Sequence, residues 1–75
     1  MRSDIQNKLI GMGFEYTGDC NCSPGGAMKY YKKIGINECL IKISRKVDWF
    51  KIQYKGITTG RFIQFDEQLQ HHGIS

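Results

Sequence analysis

The chain has 75 residues and a formal net charge of +4, with 40% hydrophobic and 24% charged residues. A chain this short forms one domain, predicted to span residues 1–75, and leaves no room for the cleft between lobes in which many enzymes bind their substrates. The composition argues against disorder, and no stretch approaches the roughly 18 apolar residues of a membrane span or forms a signal peptide, so we expect a soluble cytoplasmic protein.

The first predicted element is a short helix near the N-terminus. Ser3 and Gln6 have the spacing of a capping box, in which each side chain bonds the backbone amide of the other residue. Ile5, Leu9 and Met12 follow at helical spacing and form one apolar stripe. Because so short a helix is marginal alone, we expect it to pack on a sheet.

After Gly13 the apolar pattern changes to two-residue alternation, which is typical of strands. Four strands are predicted, over residues 14–18, 27–34, 38–44 and 48–55. A loop rich in turn-forming residues covers 19–26, and the later connections are short. Short connections imply that consecutive strands pair antiparallel.

The last twenty residues fit two structures. A turn at Gly56 would lead into a fifth strand, but an apolar stripe over residues 62–69 also fits a helix, so residues 57–65 stay open between strand and helix. We predict a short edge strand over 57–60 and a helix that ends near His72. The predicted fold class is therefore α+β: an antiparallel sheet of four to five strands, an N-terminal helix packed on one face and a short C-terminal helix.

Alternation divides the side chains of the predicted sheet between two faces. The helix-covered face receives Met28, Tyr30, Cys39, Ile41, Ile43, Phe50, Ile52 and Tyr54. The opposite face, which we call the open face, receives Lys29, Tyr31, Lys33, Leu40, Lys42, Trp49, Lys51, Gln53 and Lys55. Residues 28–55 carry eight basic residues against two acidic ones, so the positive charge is concentrated in the middle of the chain.

Lysines beside aromatic rings on one sheet face are typical of nucleic-acid binding, because cations displace counterions from phosphates and unpaired bases stack on rings. The candidate nucleic-acid-binding residues are Lys29, Tyr31, Lys33, Lys42, Trp49, Lys51 and Lys55. We predict a small basic, non-catalytic module that contacts single-stranded or structured nucleic acid, either DNA or RNA.

Two alternatives use the same open face. It is an ordinary solvated face if the lysine stems simply cover the rings. It is a protein-binding, inhibitory or self-associating surface if Tyr31, Leu40 and Trp49 anchor a protein partner or a second copy, with the lysines steering an acidic partner. No membrane partner and no small-molecule substrate is implied.

Three cysteines and two adjacent histidines raise the question of a metal site. Cys20, Cys22 and Cys39 are odd in number, which favours reduced thiols. With His71 or His72 they would complete four zinc ligands, but one residue separates the first two cysteines, whereas structural zinc knuckles have two to four. We predict no cofactor and no metal ligand and leave the zinc alternative open.

The sequence offers little for catalysis. Its carboxylates form no paired motif, and neither histidine has an evident partner that would position it as a base. We therefore predict no enzymatic activity; a small metal-independent ribonuclease is the enzyme class that the composition allows.

Overall fold

The computed structural model describes residues 2–21 and 24–74 of the chain. These residues form a five-stranded antiparallel sheet with a helix at each end of the chain, which confirms the predicted α+β fold. The elements are α1 (Arg2–Gly11), β1 (Glu15–Cys20), β2 (Ala27–Ile34), β3 (Asn37–Ser44), β4 (Phe50–Gln53), β5 (Ile57–Gly60), one 3-10 turn (Phe62–Gln64) and α2 (Phe65–His71). The strands lie side by side in chain order.

Helix α1 packs on the sheet as predicted, but its start differs from the prediction. Ser3 already lies inside α1, so the proposed cap at this residue is wrong. The Gln6 side chain, which a capping box would direct to the helix start, donates instead to the Met28 sulfur. Ile5 and Leu9 of the predicted stripe are buried, and they join the core of the sheet.

The end of α1 is fixed by a glycine and a lysine. Gly13 has a φ of 91°, a left-handed conformation that favours glycine and ends helices. The Lys32 ammonium group donates to the Met12 carbonyl at 2.6 Å, where the helix dipole favours a cation, and lies 5.8 Å from the centroid of the Phe14 ring. This lysine therefore acts at the helix and not on the open face.

The core lies between the helices and one face of the sheet. All eight residues that alternation assigns to the helix-covered face are buried, with at most 7% of their surface exposed. The rings of Phe50 and Phe65 meet edge to face with centroids 5.2 Å apart, which ties β4 to α2. Leu9 of α1 and Leu69 of α2 belong to the same core. Both helices thus cover one face and leave the other to the solvent.

The structure also shows which elements form in the ambiguous C-terminal region, and one of its strands is shorter than predicted. Residues 57–60 form the predicted edge strand, and a helical segment follows from Phe62. Strand β4 covers four residues where eight were predicted. Its C-terminal end comes early because the Tyr54 amide donates to the Gly56 carbonyl and closes a tight turn. Lys55, at the tip of that turn, has a φ of 55°.

Candidate nucleic-acid interface

Three lysines stand in register on the open face. Lys29 of β2 lies opposite Lys42 of β3, which lies opposite Lys51 of β4. Directly opposed residues of antiparallel strands project to the same face, so the three side chains are neighbours. With strands about 4.8 Å apart, they form a line of about 10 Å that crosses the strands. We call these three residues the lysine row.

No carboxylate forms an ion pair with the lysine row within the described part of the chain, although Lys29 is close enough to Asp19 to contribute to the lowering of its pKa. None of its ammonium groups forms an ion pair or a hydrogen bond there. Like charges directly opposite one another destabilise a sheet, so the row lowers stability in isolation. The three side chains are half-buried, as expected if their alkyl stems lie along the sheet and their ammonium groups reach the water.

The arginines and two other lysines differ from the row because they have partners within the protein. The pairs are Arg2 with the Ser44 and Val47 carbonyls, Lys8 with Asp66, Lys32 with the Met12 carbonyl, Arg45 with Asp19, and Arg61 with Asp48. All three arginines of the chain are in this set. Apart from the exposed Lys46 in the loop after β3, the positive charge available to an external anion is therefore carried by the lysines of the open face.

Two of the predicted lysines lie apart from the lysine row. Lys33 is four residues along β2 from Lys29, about 14 Å away, and its cross-strand partner is Glu38. Lys55 lies outside the strands, with its ammonium group 5.3 Å from the centroid of the Tyr54 ring. We expect both to contribute less to an anion site than the lysine row.

Tyr31 flanks the lysine row on one side. It lies two residues beyond Lys29 in β2, opposite Leu40 of β3. The Tyr31 hydroxyl donates to the Glu38 carboxylate at 3.0 Å, and this hydrogen bond raises the pKa of the tyrosine above its usual value. The ring is half-buried and has a negative charge at its hydroxyl edge, which disfavours an approaching phosphate.

Trp49 flanks the lysine row on the other side. It directly precedes the buried Phe50, so alternation places it on the open face, two residues from Lys51. The Ser44 amide donates to the Trp49 carbonyl at 3.0 Å, which extends the pairing of β3 with β4 to this residue. The side chain is half-buried, and among the described residues its ring meets no other ring or cation and its indole N–H has no acceptor.

The loop that carries Trp49, residues 45–49, is held in place from the N-terminal side. We call it the β3–β4 loop. Arg2 of α1 donates to the Ser44 carbonyl at 2.7 Å and to the Val47 carbonyl at 3.4 Å. The Ser44 hydroxyl accepts from the Val47 amide at 3.0 Å. These bonds satisfy backbone groups at the beginning of the loop and fix its path.

Asp48 holds the same loop from the C-terminal side. Its carboxylate accepts from the Phe62 amide at 2.7 Å and from the Arg61 guanidinium at 3.0 Å. The Phe62 hydrogen bond, followed by the Arg61 contacts, lowers the pKa of Asp48 below its ordinary value of 3.8. The residue directly before Trp49 is thus bonded to the start of the C-terminal helical segment.

The seven predicted binding residues fall into two groups by location. Five lie within strands on the open face: Lys29, Tyr31, Lys33, Lys42 and Lys51. Trp49 directly precedes β4, and Lys55 lies two residues after its end. Sequence reasoning missed the supporting residues Arg2 and Asp48, whose partners lie 42 and 14 residues away along the chain and leave no periodic signal.

The cysteines and histidines do not form a cluster within the described residues. Cys20 is disulfide-bonded, so the expectation of reduced thiols is wrong for this residue, and Cys22 lies outside the described residues. Cys39 is a fully buried free thiol whose pKa burial raises to about 11, which disfavours the thiolate that metals bind. His72 shares a hydrogen bond of 2.7 Å with Thr58. No group of three potential ligands able to hold a metal ion occurs in the described ranges.

No family model, no curated protein and no solved structure matches this chain. Neither described helix has the length and apolar character needed to cross a membrane. The geometry of the open face is therefore the feature from which a function can be inferred.

Proposed function

We propose that this chain is a small basic, non-catalytic module that binds nucleic acid through the open face. The observation that carries the proposal is the lysine row, whose three ammonium groups stand in register across β2, β3 and β4 and form no ion pair with any described residue. Each lysine that neutralises a phosphate releases condensed counterions, so a few such contacts give useful affinity. A line of cations is complementary to the line of phosphates along a nucleic-acid strand.

An ordinary solvated face explains lysines on this side but not their register. Opposite charges at directly paired positions contribute roughly 0.2–1 kcal/mol, whereas like charges cost a similar amount. The row places the same charge at Lys29, Lys42 and Lys51. Two carboxylates of the sheet are already bonded elsewhere, Glu38 to Tyr31 and Asp19 to Arg45. A bound polyanion supplies the compensation that the chain itself does not.

A protein-binding or self-associating surface is the second candidate function. It is favoured by two apolar residues on the open face, the half-buried Leu40 and Ile57, which is 64% exposed. Both belong to the row of cross-strand partners that includes Tyr31. Lysines beside them would select an acidic protein partner.

Fluorescence anisotropy with labelled oligonucleotides tests the proposal. Three phosphate contacts predict that log affinity falls with log salt with a slope of about −2 for a single strand, or about twentyfold between about 50 mM and 200 mM salt. Lys42→Gln, at the centre of the row, should make the slope shallower by about 0.7. Lys8→Gln, which removes the same charge from the helix-covered side, should leave it unchanged.

Three results would contradict the proposal. One is the absence of binding to any oligonucleotide at low salt, and another is an equal change in slope for Lys42→Gln and Lys8→Gln. The third is displacement of the oligonucleotide by an acidic polypeptide of equal charge at lower concentration than by unlabelled nucleic acid. That result, or a dimer in sedimentation that Ile57→Ser dissociates, would favour the second candidate.

A further inference from the structure

The lysine row and the two rings beside it indicate which form of nucleic acid binds and how it lies. We infer that the ligand is a single strand whose backbone crosses β2, β3 and β4 along the lysine row and whose base stacks on Trp49. This inference rests on the proposed function. Tyr31, although also aromatic and on the same face, is not the stacking ring.

The shape of the open face favours a single strand over a duplex. Reading a duplex groove requires a helix or a two-stranded ribbon that enters it. Here both helices pack on the other face of the sheet, and the open face presents side chains of a five-stranded sheet. A single strand can lie across such a surface because its unpaired bases are free to stack on a ring.

The two rings lie on opposite sides of the lysine row, which makes them alternatives for the base. β2 and β4 run in the same direction, because each pairs antiparallel with β3. Tyr31 is two residues after Lys29 in β2, whereas Trp49 is two residues before Lys51 of β4. The two rings therefore lie on opposite sides of the row. Each ring is about 7 Å from the row. The bases of a strand that follows the row can therefore reach either ring.

The surroundings of the two rings decide between them. The Tyr31 hydroxyl is bonded to the Glu38 carboxylate, so a strand on that side brings its phosphates toward a negative charge. Trp49 has an unpaired indole N–H and no ring contact among the described residues. Indole is also the larger stacking surface, and its N–H can donate to a base or a phosphate.

The residues beside Trp49 leave space for a ring that lies flat. Ala27 and Ser44 are opposed in β2 and β3, and the Ser44 amide bonds the Trp49 carbonyl. By register, Ala27 and Ser44 lie on the open face, yet both are completely buried and both have small side chains. An indole lying over small residues keeps one face toward the protein and one toward the solvent, which agrees with the half-buried state of Trp49.

The β3–β4 loop makes this ring a fixed platform. Arg2 holds the beginning of the loop and Asp48, next to Trp49, holds its end. A ring that is already positioned loses less conformational entropy when a base stacks on it. Arg2 and Asp48 thus act as positioning residues, while Trp49 and the lysine row make the contacts.

The test compares an oligonucleotide of about ten nucleotides with its own duplex, using anisotropy and the fluorescence of the chain's only tryptophan. We expect tighter binding of the single strand and quenching of Trp49 as it binds. Trp49→Ala should weaken single-strand binding by about fivefold to a hundredfold and leave the salt slope unchanged, since stacking releases no counterions. Trp49→Phe should retain most of the affinity, and Tyr31→Leu, which removes the other ring, should bind nearly as the wild type does.

Failure of this inference can be separated from failure of the proposed function. Salt-dependent binding that Lys42→Gln weakens, combined with unquenched tryptophan or equally tight duplex binding, would overturn the inference and leave the proposed function standing. Equal affinity of folded Trp49→Ala and wild type would do the same. No oligonucleotide binding at low salt would overturn both. If Trp49→Ala does not fold, the quenching of the wild type and the single-strand preference decide the question.

Discussion

Two charged clusters of the sheet differ in how their charges are neutralised. At the β1 edge, the Arg45 guanidinium donates to both carboxylate oxygens of Asp19, at 2.9 and 3.1 Å, and the Tyr16 hydroxyl donates to the same carboxylate at 2.6 Å. In the lysine row, three ammonium groups stand side by side without a carboxylate partner within the described residues. The charges of the edge cluster are neutralised within the cluster, whereas the row presents its charge to the solvent.

This difference separates structural cations from those available for binding. The Arg45 hydrogen bonds lower the pKa of Asp19, and the carboxylate in turn raises the pKa of Arg45, so each group stabilises the charged form of the other. An external phosphate would have to compete with a bidentate partner that is already in place. A lysine of the row has no bidentate partner among the described residues, so net charge alone is a poor guide to where an anion binds.

The largest expected effect comes from neutralising the whole lysine row. The triple variant Lys29→Gln, Lys42→Gln, Lys51→Gln should lose most of its salt-dependent binding, with affinity for a single strand reduced roughly a hundredfold or more at about 50 mM salt. Stability should not fall and should rise by up to about 1 kcal/mol, because two like-charge cross-strand contacts are removed. Anisotropy and urea unfolding measure the two quantities. A folded triple variant that binds as the wild type does would show that the row is not the binding site.

The sharpest comparison changes one charge in each cluster. Lys42→Gln and Arg45→Gln remove the same charge from neighbouring parts of β3 and the β3–β4 loop. We expect the lysine substitution to make the salt slope shallower by about 0.7 with little change in stability. The arginine substitution should lower the midpoint of thermal unfolding, because Asp19 loses its bidentate partner, and should leave the slope nearly unchanged. Equal slopes for the two variants would mean that net charge, and not its placement, controls binding.

Because carboxylates such as Asp48 pair with cations within the protein, we expect the stability of the fold to decrease in acid. The lysine row contributes no such dependence. The pKa of Asp48 is lowered in the folded state, so its contribution is fully present above the ordinary value of 3.8 and is lost as pH falls through the lowered pKa. Wild-type stability should therefore fall below about pH 4. Asp48→Asn should be less stable than the wild type at neutral pH, with a difference that narrows on acidification. Urea unfolding across this pH range measures it, and a difference independent of pH would exclude the Asp48 charge as its cause.

Much of the fold follows from sequence periodicity. Alternation assigns eight residues to the core face, and all are buried, because a strand with one covered face cannot slip by one residue without exposing its apolar set. Periodicity does not set where a strand stops. Strand β4 ends early because the Tyr54 amide bonds the Gly56 carbonyl, and Ser3 lies inside α1, two features that depend on local backbone bonds.

Alternation predicts which sheet face carries the candidate site, whereas the pairing of residues between neighbouring strands also depends on the turns. Gly35 has a φ of 62°, and the two-residue turn Gly35-Ile36 pairs Ile34 with Asn37. Once that pair is set, counting outward places Lys29 opposite Lys42, so the sequence contained this part of the lysine row. The choice of partners for the arginines did not follow, because Arg45 and Asp19 are 26 residues apart and meet only in the folded sheet.

The smallest predicted effect concerns the carboxylate near the lysine row. Glu38→Gln removes the charge that accepts the Tyr31 hydroxyl bond, so affinity for a single strand should rise by about twofold at low salt, the effect of one unit charge at a distance of about 10 Å in water. The increase should vanish at high salt, where screening shortens the reach of a charge.

The same substitution should lower the raised pKa of Tyr31, since its largest cause is removed, and tyrosine absorbance titration of this variant beside Tyr31→Phe measures that change. Because the base is expected on Trp49, Glu38→Gln should not alter tryptophan quenching at saturation. A gain in affinity accompanied by loss of quenching would instead place the base on Tyr31, freed from the repulsion of its neighbouring carboxylate.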